Sequence, residues 1–176
     1  MYPIIRFAKE ALLSLTAGTI MPDQVHVSRL ICWPWDVDLW LELNNGRALT
    51  LYDLGRIPLC IRLNMLRELR RRGWGMAVAG ASVRYRRRVR MFQRLTMKSA
   101  LLGWDERFFY FQQTIWHGNM ATSSILVRSA VTTKNGILPP AELAELLGWP
   151  EQSPELPDHV QDWIRAEGKR PWPPHI

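Results

Sequence analysis

Apolar residues recur at threes and fours through the first part of this chain and in longer strand-like runs through the second. Ile4, Ile5, Ala8, Ala11, Leu12 and Leu15 fall at helical spacing, which predicts an amphipathic helix lying on the domain. Arg6, Lys9 and Glu10 interrupt that run, so it is too charged to span a bilayer and lacks the continuous core of a secretory signal. Attachment to a membrane surface stays open as the alternative. Gln24 to Cys32 is short and β-branched, a first strand. Beyond a loop rich in Trp and Asp, Asn44 or Asn45 can cap a helix by accepting orphan backbone N–H groups. Leu49, Tyr52, Leu54, Ile57, Ile61, Met65, Leu66 and Leu69 then predict one long helix to about Arg72, ended by Gly73. Pro58 lies inside it, so a kink or short break is expected there.

The period then changes. Met76 to Met91, Leu95 to Trp104, Phe108 to Trp116 and Ala121 to Thr133 read as long strands separated by turn material. Asn135-Gly136 is a hairpin signal, but Pro139-Pro140 argues against another long strand. A short helix over Ala141 to Leu147 and a last one around Asp158 to Glu167 complete the pattern. One strand, a long helix and four long strands with short turns predict an α+β fold, an antiparallel sheet wrapped around a single buried helix. The expected organisation is one domain over 1–176: a core of about 24–135, an N-terminal helix within 1–20 and a C-terminal helical extension over 139–176.

Composition changes this picture in two ways. Forty-seven per cent hydrophobic and 22% charged residues argue against disorder, and nine tryptophans suggest a broad apolar interior or interface. A net charge of +7 makes an anionic partner plausible. Cys32 and Cys60 are the only cysteines, so no disulfide framework is implied, and a reducing compartment, the cytoplasm, is expected. His26, His117, His159 and His175 are scattered without ligand spacing, so neither metal nor cofactor is expected.

Between Arg62 and Arg94 eleven arginines face one acid, Glu68. If Arg84 to Arg90 is a strand, Arg84, Arg86, Arg88 and Arg90 line one side, with Arg87 the exception. Such a row would run about 20 Å. It suits several phosphates, because guanidinium binds phosphate oxygens bidentately. Three readings stay open: a solvated face that discourages edge pairing, a cradle for the phosphates of a ligand such as coenzyme A, and a nucleic-acid surface. The last is disfavoured, since no RNP, zinc-finger or helix-turn-helix signature accompanies the charge.

Candidate chemistry lies in WPWDVDLWLELNNGR, Trp33 to Arg47. No GxSxG elbow, GxGxxG or P-loop occurs. Asp36 and Asp38 sit among apolar residues, where a carboxylate has either a raised pKa or a donor that keeps it ionised. Either condition suits a general base or a nucleophile. The helix that follows offers free N–H groups able to hold an oxyanion. The plainer alternative is that Asp36 or Asp38 caps a turn.

Asp36 to Asn45 resembles the DxDxxxHxNN signature of hot-dog-fold thioesterases, seen in acyl-ACP thioesterases and, with variation, in the 4-hydroxybenzoyl-CoA thioesterase group. The likeness extends to the branch that includes thioesterase superfamily member 6. Its pattern NNxR…D..R reads here as Asn44, Asn45, Arg47, Asp53 and Arg56, followed by RYRRRVR, LLGWDERFFY and PELPDHVQDWI. It covers roughly residues 24 to 165. The resemblance implies a hot-dog fold and a homodimer, with a tetramer open, whose two sites lie at the subunit interface. It also implies hydrolysis of an acyl thioester, expected to be a fatty acyl-CoA, to free acid and thiol. The family's catalytic aspartate falls on Asp38, and main-chain N–H groups around Leu43 to Gly46 would polarise the carbonyl. Glu42 stands where the motif has histidine; it could assist as a base, or its presence could mark a non-catalytic acyl-CoA or lipid-binding protein. Asn44, Asn45 and Gly46 would shape the helix start, and Arg84, Arg86, Arg88 and Arg90 would hold the CoA phosphates.

Overall fold

A computed structural model describes residues 2–174; Met1 and the last two residues, at the outer ends of the predicted N-terminal helix and C-terminal extension, lie outside the described residues. Strands β1 (His26–Ile31), β2 (Gly75–Tyr85), β3 (Arg94–Trp104), β4 (Phe109–His117), β5 (Met120–Thr133) and β6 (Gly136–Leu138) form one antiparallel sheet. Its order is β1-β3-β4-β5-β2, with β6 on β5. Helix α2 (Asn45–Arg62) packs against β1, β3 and β4 as the buried helix that the apolar spacing predicts. Leu51, Tyr52, Leu54 and Leu59 meet Met97, Phe111 and Ile115 in the main core. On the other face, Tyr110 and Leu126 are covered by Val160, Trp163 and Ile164 of α5 (Asp158–Gly168). Helix α4 (Pro140–Leu146) leads to Trp149, which packs edge-on against Phe109 at a centroid distance of 6.3 Å.

Gly55 fixes how closely α2 can approach the sheet. A Cβ there would sit 2.4 Å from Met97 Sδ and 2.6 Å from Ser99 Oγ. The same contact is pinned by Gln113, whose side-chain amide donates to the Tyr52 carbonyl at 2.8 Å and to Ser99 Oγ at 2.9 Å.

Three expectations need correction. The long helix breaks at Asn64, in the left-handed region at φ 59, and resumes as α3 (Met65–Arg72); it does not break at Pro58. Proline lacks the N–H that would bond the Leu54 carbonyl four residues back, and Ser28 Oγ on β1 donates to that carbonyl at 3.3 Å instead. The helix therefore continues through Pro58. Second, β2 stops at Tyr85 rather than at Met91, because the N–H groups of Arg86 and Arg87 both donate to Thr122 O, at 2.8 and 3.0 Å. Two residues oppose one, and the strand's alternation ends.

The third correction concerns α1 (Ile4–Thr16). It forms as expected, yet its apolar stripe faces outward: Ile4, Ile5, Leu12 and Leu15 are exposed. The face toward the domain carries Pro3, Phe7, Glu10 and Ser14, with Arg6 beside them. The Arg6 guanidinium ties this side of the helix to the buried Asp36 carboxylate at 2.7 Å, while its other polar groups pair within the helix. Ser14 Oγ donates to Glu10 O at 2.8 Å, and Glu10 meets Lys9 Nζ at 3.1 Å.

Candidate functional site

β1 runs into Cys32, and Pro34 then starts a single 3-10 turn, Pro34–Asp36, that delivers Asp36 into the interior at 0% exposure. Its carboxylate accepts from both terminal nitrogens of Arg6 at 2.7 Å each. It also accepts from Arg47 Nε at 2.6 Å and from Trp33 N–H at 3.0 Å. Burial pushes this carboxyl's pKa up, but the Arg6, Arg47 and Trp33 hydrogen bonds outweigh it and hold the pKa below the usual value. Asp36 thus ties α1, the 3-10 turn and α2 together as a hub that is ionised at neutral pH. That is a structural task.

Asp38 differs in both setting and partners. Val37 and Leu43 pair as an isolated antiparallel bridge, so Asp38 to Glu42 is the turn between them. Asp38 N–H donates to Glu42 O at 2.8 Å, and its Oδ1 accepts Trp40 N–H at 2.9 Å. Leu41 closes the turn at φ 58. Glu42 carries an ion pair to Arg88 Nε at 3.0 Å. Asp38 and Glu42 are therefore brought together through the backbone of one tight turn.

Helix α2 starts immediately after. Asn44 is its N-cap: Oδ1 accepts Arg47 N–H at 3.1 Å. Of the amides proposed around Leu43 to Gly46, Leu43 N–H donates to Val89 O and Asn44 N–H to Asp36 O. Those of Asn45 and Gly46 have no acceptor among the described residues. Two free donors at a helix start, where the dipole adds positive potential, suit a developing oxyanion.

Two grooves flank this helix start. One, of about 220 Å³, is lined by Glu42, Asn45, Tyr85, Arg86, Arg87 and Arg88, among others. Tyr85 OH donates to Asn45 O at 3.1 Å, and Ser123 in the lining hydrogen-bonds Tyr52 OH at 2.7 Å. Arg84 and Arg90 do not line it, and the continuous four-arginine row is absent because β2 ends at Tyr85. Arg87, the exception in the strand reading, joins Arg86 and Arg88 instead. Asp38 is not among the lining residues. The other groove, of about 1200 Å³, runs between residues 2–6 and the pair Trp33 and Trp35, with Asn44, Arg47 and Thr50 at α2. Trp33 and Trp35 stack at a centroid distance of 5.4 Å.

The remaining charged members of the resemblance have structural places. Asp53 pairs with Arg56, whose Nη1 also donates to Gln113 Oε1 at 3.3 Å. Asp105 closes the β3–β4 turn by accepting the Phe108 and Arg107 amides at 2.8 and 2.7 Å. The sequence reading missed the Arg6–Asp36 pair, 30 residues apart, and the part played by Tyr85 and Arg87. The burial of an aspartate between tryptophans was the one available hint of the former.

A helix wrapped by an antiparallel sheet, with an aspartate turn at the helix start, is the hot-dog architecture of thioesterases. The model of the thioesterase-like superfamily matches residues 32–164, and the chain belongs to that superfamily. Within it the chain is similar to Protein THEM6 of Xenopus laevis, 27% identical over 138 residues, covering 77% of this chain and 65% of that one. Against Protein THEM6 of Drosophila melanogaster identity is 29% over 139 residues, covering 77% and 70%. The chain thus spans about two thirds of the length of these relatives. Among solved structures, the YbaW probable thioesterase from Escherichia coli superposes with TM-score 0.65 at 18% identity, covering 69% of this chain and 96% of that one. The DHNA-CoA thioesterase from Staphylococcus aureus gives TM-score 0.61 at 11% identity, covering 82% and 89%. At these identities the structures speak for the fold.

Proposed function

We propose that the protein hydrolyses an acyl thioester, a fatty acyl-CoA, to free acid and coenzyme A as a homodimer. The observation that carries this reading is the pair of free N–H groups at Asn45 and Gly46, one turn of chain from Asp38 and beside a groove of three arginines. The thioester carbonyl sits at those donors. Asp38 takes a proton from the attacking water, or attacks the carbonyl itself to give an anhydride that water then cleaves. The oxyanion accepts hydrogen bonds from the Asn45 and Gly46 N–H groups and the C–S bond breaks. On the general-base route the thiolate takes up the proton that Asp38 drew from water. On the anhydride route it leaves as thiolate, and water later adds its hydroxyl to the acyl carbon, freeing the Asp38 carboxylate and a proton. Arg86, Arg87 and Arg88 hold the phosphates. β2 supports the dimer: it is an edge strand exposed on both faces, and Ala77, Val78, Ala79 and Ala81 offer an open main-chain edge with little side-chain obstruction.

Thiol release from acyl-CoAs of several chain lengths tests the reading. Asp38→Asn should lower turnover by about 100-fold or more while circular dichroism and dimer mass stay as in the parent. Unchanged turnover refutes the assignment of Asp38. A non-catalytic acyl-CoA-binding protein is the second reading, favoured by one observation: Glu42, in the motif's histidine position, is held by Arg88. Tight acyl-CoA binding without thiol release at any length would select it.

A further inference from the structure

We infer that the wide groove between α1 and the Trp33–Trp35 pair holds a long acyl chain, so that chain length is read by a helix lying outside the family match. This rests on the acyl-thioester reading above and names its substrate class more narrowly. The family match begins at residue 32, whereas α1 ends at Thr16. The groove's outer wall therefore lies outside the residues that the family model matches. Ile4 and Ile5 line it and are 67% and 87% exposed, and Trp35 on the opposite wall is 66% exposed. Large apolar side chains facing each other across open space mark a binding groove.

The far end of that groove is polar. Arg6 and Arg47 line it there beside Asn44 and Thr50. An alkyl chain ending in an oxygen-bearing group matches apolar walls with one polar end. Its volume, about 1200 Å³, exceeds the roughly 300–1,000 Å³ of common small-molecule sites and suits a long chain over a short one. Continuity with the reacting centre is given by two adjacent residues. Asn44 lines this groove and Asn45 lines the arginine groove. The free donors at the start of α2 stand between them, so one extended ligand can lay its chain along Ile4 and Ile5 with its phosphates near Arg86 to Arg88.

The test uses two thioethers that cannot be cleaved, S-hexadecyl-CoA and S-butyl-CoA, titrated calorimetrically into the full chain and into Ile5→Glu and Trp35→Ser. Ile5 is solvent-exposed, so the charge it gains does not threaten the core. Both variants should lose at least tenfold in affinity for S-hexadecyl-CoA relative to S-butyl-CoA, about 1.4 kcal/mol of discrimination. No loss, or equal loss for both probes, overturns the inference. A changed mass by light scattering with an unchanged ratio assigns the groove to a second copy of the chain and also overturns it. Because thioethers report binding alone, absence of thiol release from palmitoyl-CoA would count against hydrolysis and leave the groove assignment standing on its own result.

Discussion

Replacing Asp36 by Asn keeps the shape of the buried hub and removes its charge. Arg6 and Arg47 then lose the carboxylate they share, and removing one partner of a buried ion pair typically costs about 3–5 kcal/mol. Arg6 and Arg47 retain 17% and 15% exposure, which places this case near the lower end, ~3 kcal/mol. For a chain of this size each kcal/mol moves the melting temperature by about 2–4 °C. Differential scanning calorimetry at pH 7 should therefore record a fall of about 6–12 °C. The pH dependence gives a second, independent reading. The folded-state pKa of Asp36 lies below its ordinary value, so the charge contributes fully above the unfolded pKa of about 3.9. As pH falls below that value the unfolded chain takes up the proton first and the contribution is lost through the folded-state pKa. The gap between parent and variant should stay constant from about pH 7 to 5 and narrow below about 4. A fall under about 2 °C at pH 7, or a gap that persists undiminished in acid, refutes the hub.

Two further outcomes follow from the packing of α2. Gly55→Ala drives a methyl into Met97 and Ser99; overpacking of this kind costs about 1–3 kcal/mol, and an unchanged melting temperature would contradict the close approach. His26 is held neutral between Ser28 Oγ at 2.9 Å and Arg62 Nη1 at 3.4 Å, and burial first, then the Arg62 charge, lowers its pKa from 6.5 to about 4. The unfolded chain binds the extra proton between those values, so stability is full above 6.5 and is lost as pH falls toward 4. Urea titrations should show a loss on the order of 2 kcal/mol from pH 7.5 to 5, and His26→Gln should remove that slope.

Spacing alone identified the order of elements, because a helix buried on one face and strands buried on alternate residues leave distinct periods. It failed where a distant group intervened. Pro58 promised a break, but Ser28, 30 residues earlier, supplies the missing donor. The apolar stripe of α1 promised an inward face, yet Arg6 turns inward to the Asp36 carboxylate, and Glu10 and Ser14 lie on the inward face with it. The arginine row looked continuous because alternation carries no warning of a bulge; Arg86 and Arg87 bond one carbonyl, and the count shifts by one. Asp36 and Asp38 were equal candidates by neighbourhood. Only the position of Arg6 separates the ionised hub from the turn residue.

The hydroxyl of Ser28 on the Leu54 carbonyl joins a marginal strand to the middle of the most buried helix. β1 is a sheet edge of six residues, the kind of segment that ordinarily opens first. Here its opening takes the Ser28 donor from an acceptor deep in α2 and exposes His26 to protonation in the same event. Peripheral fraying is thereby coupled to the middle of the buried helix by about the 0.5–1.5 kcal/mol of one hydrogen bond.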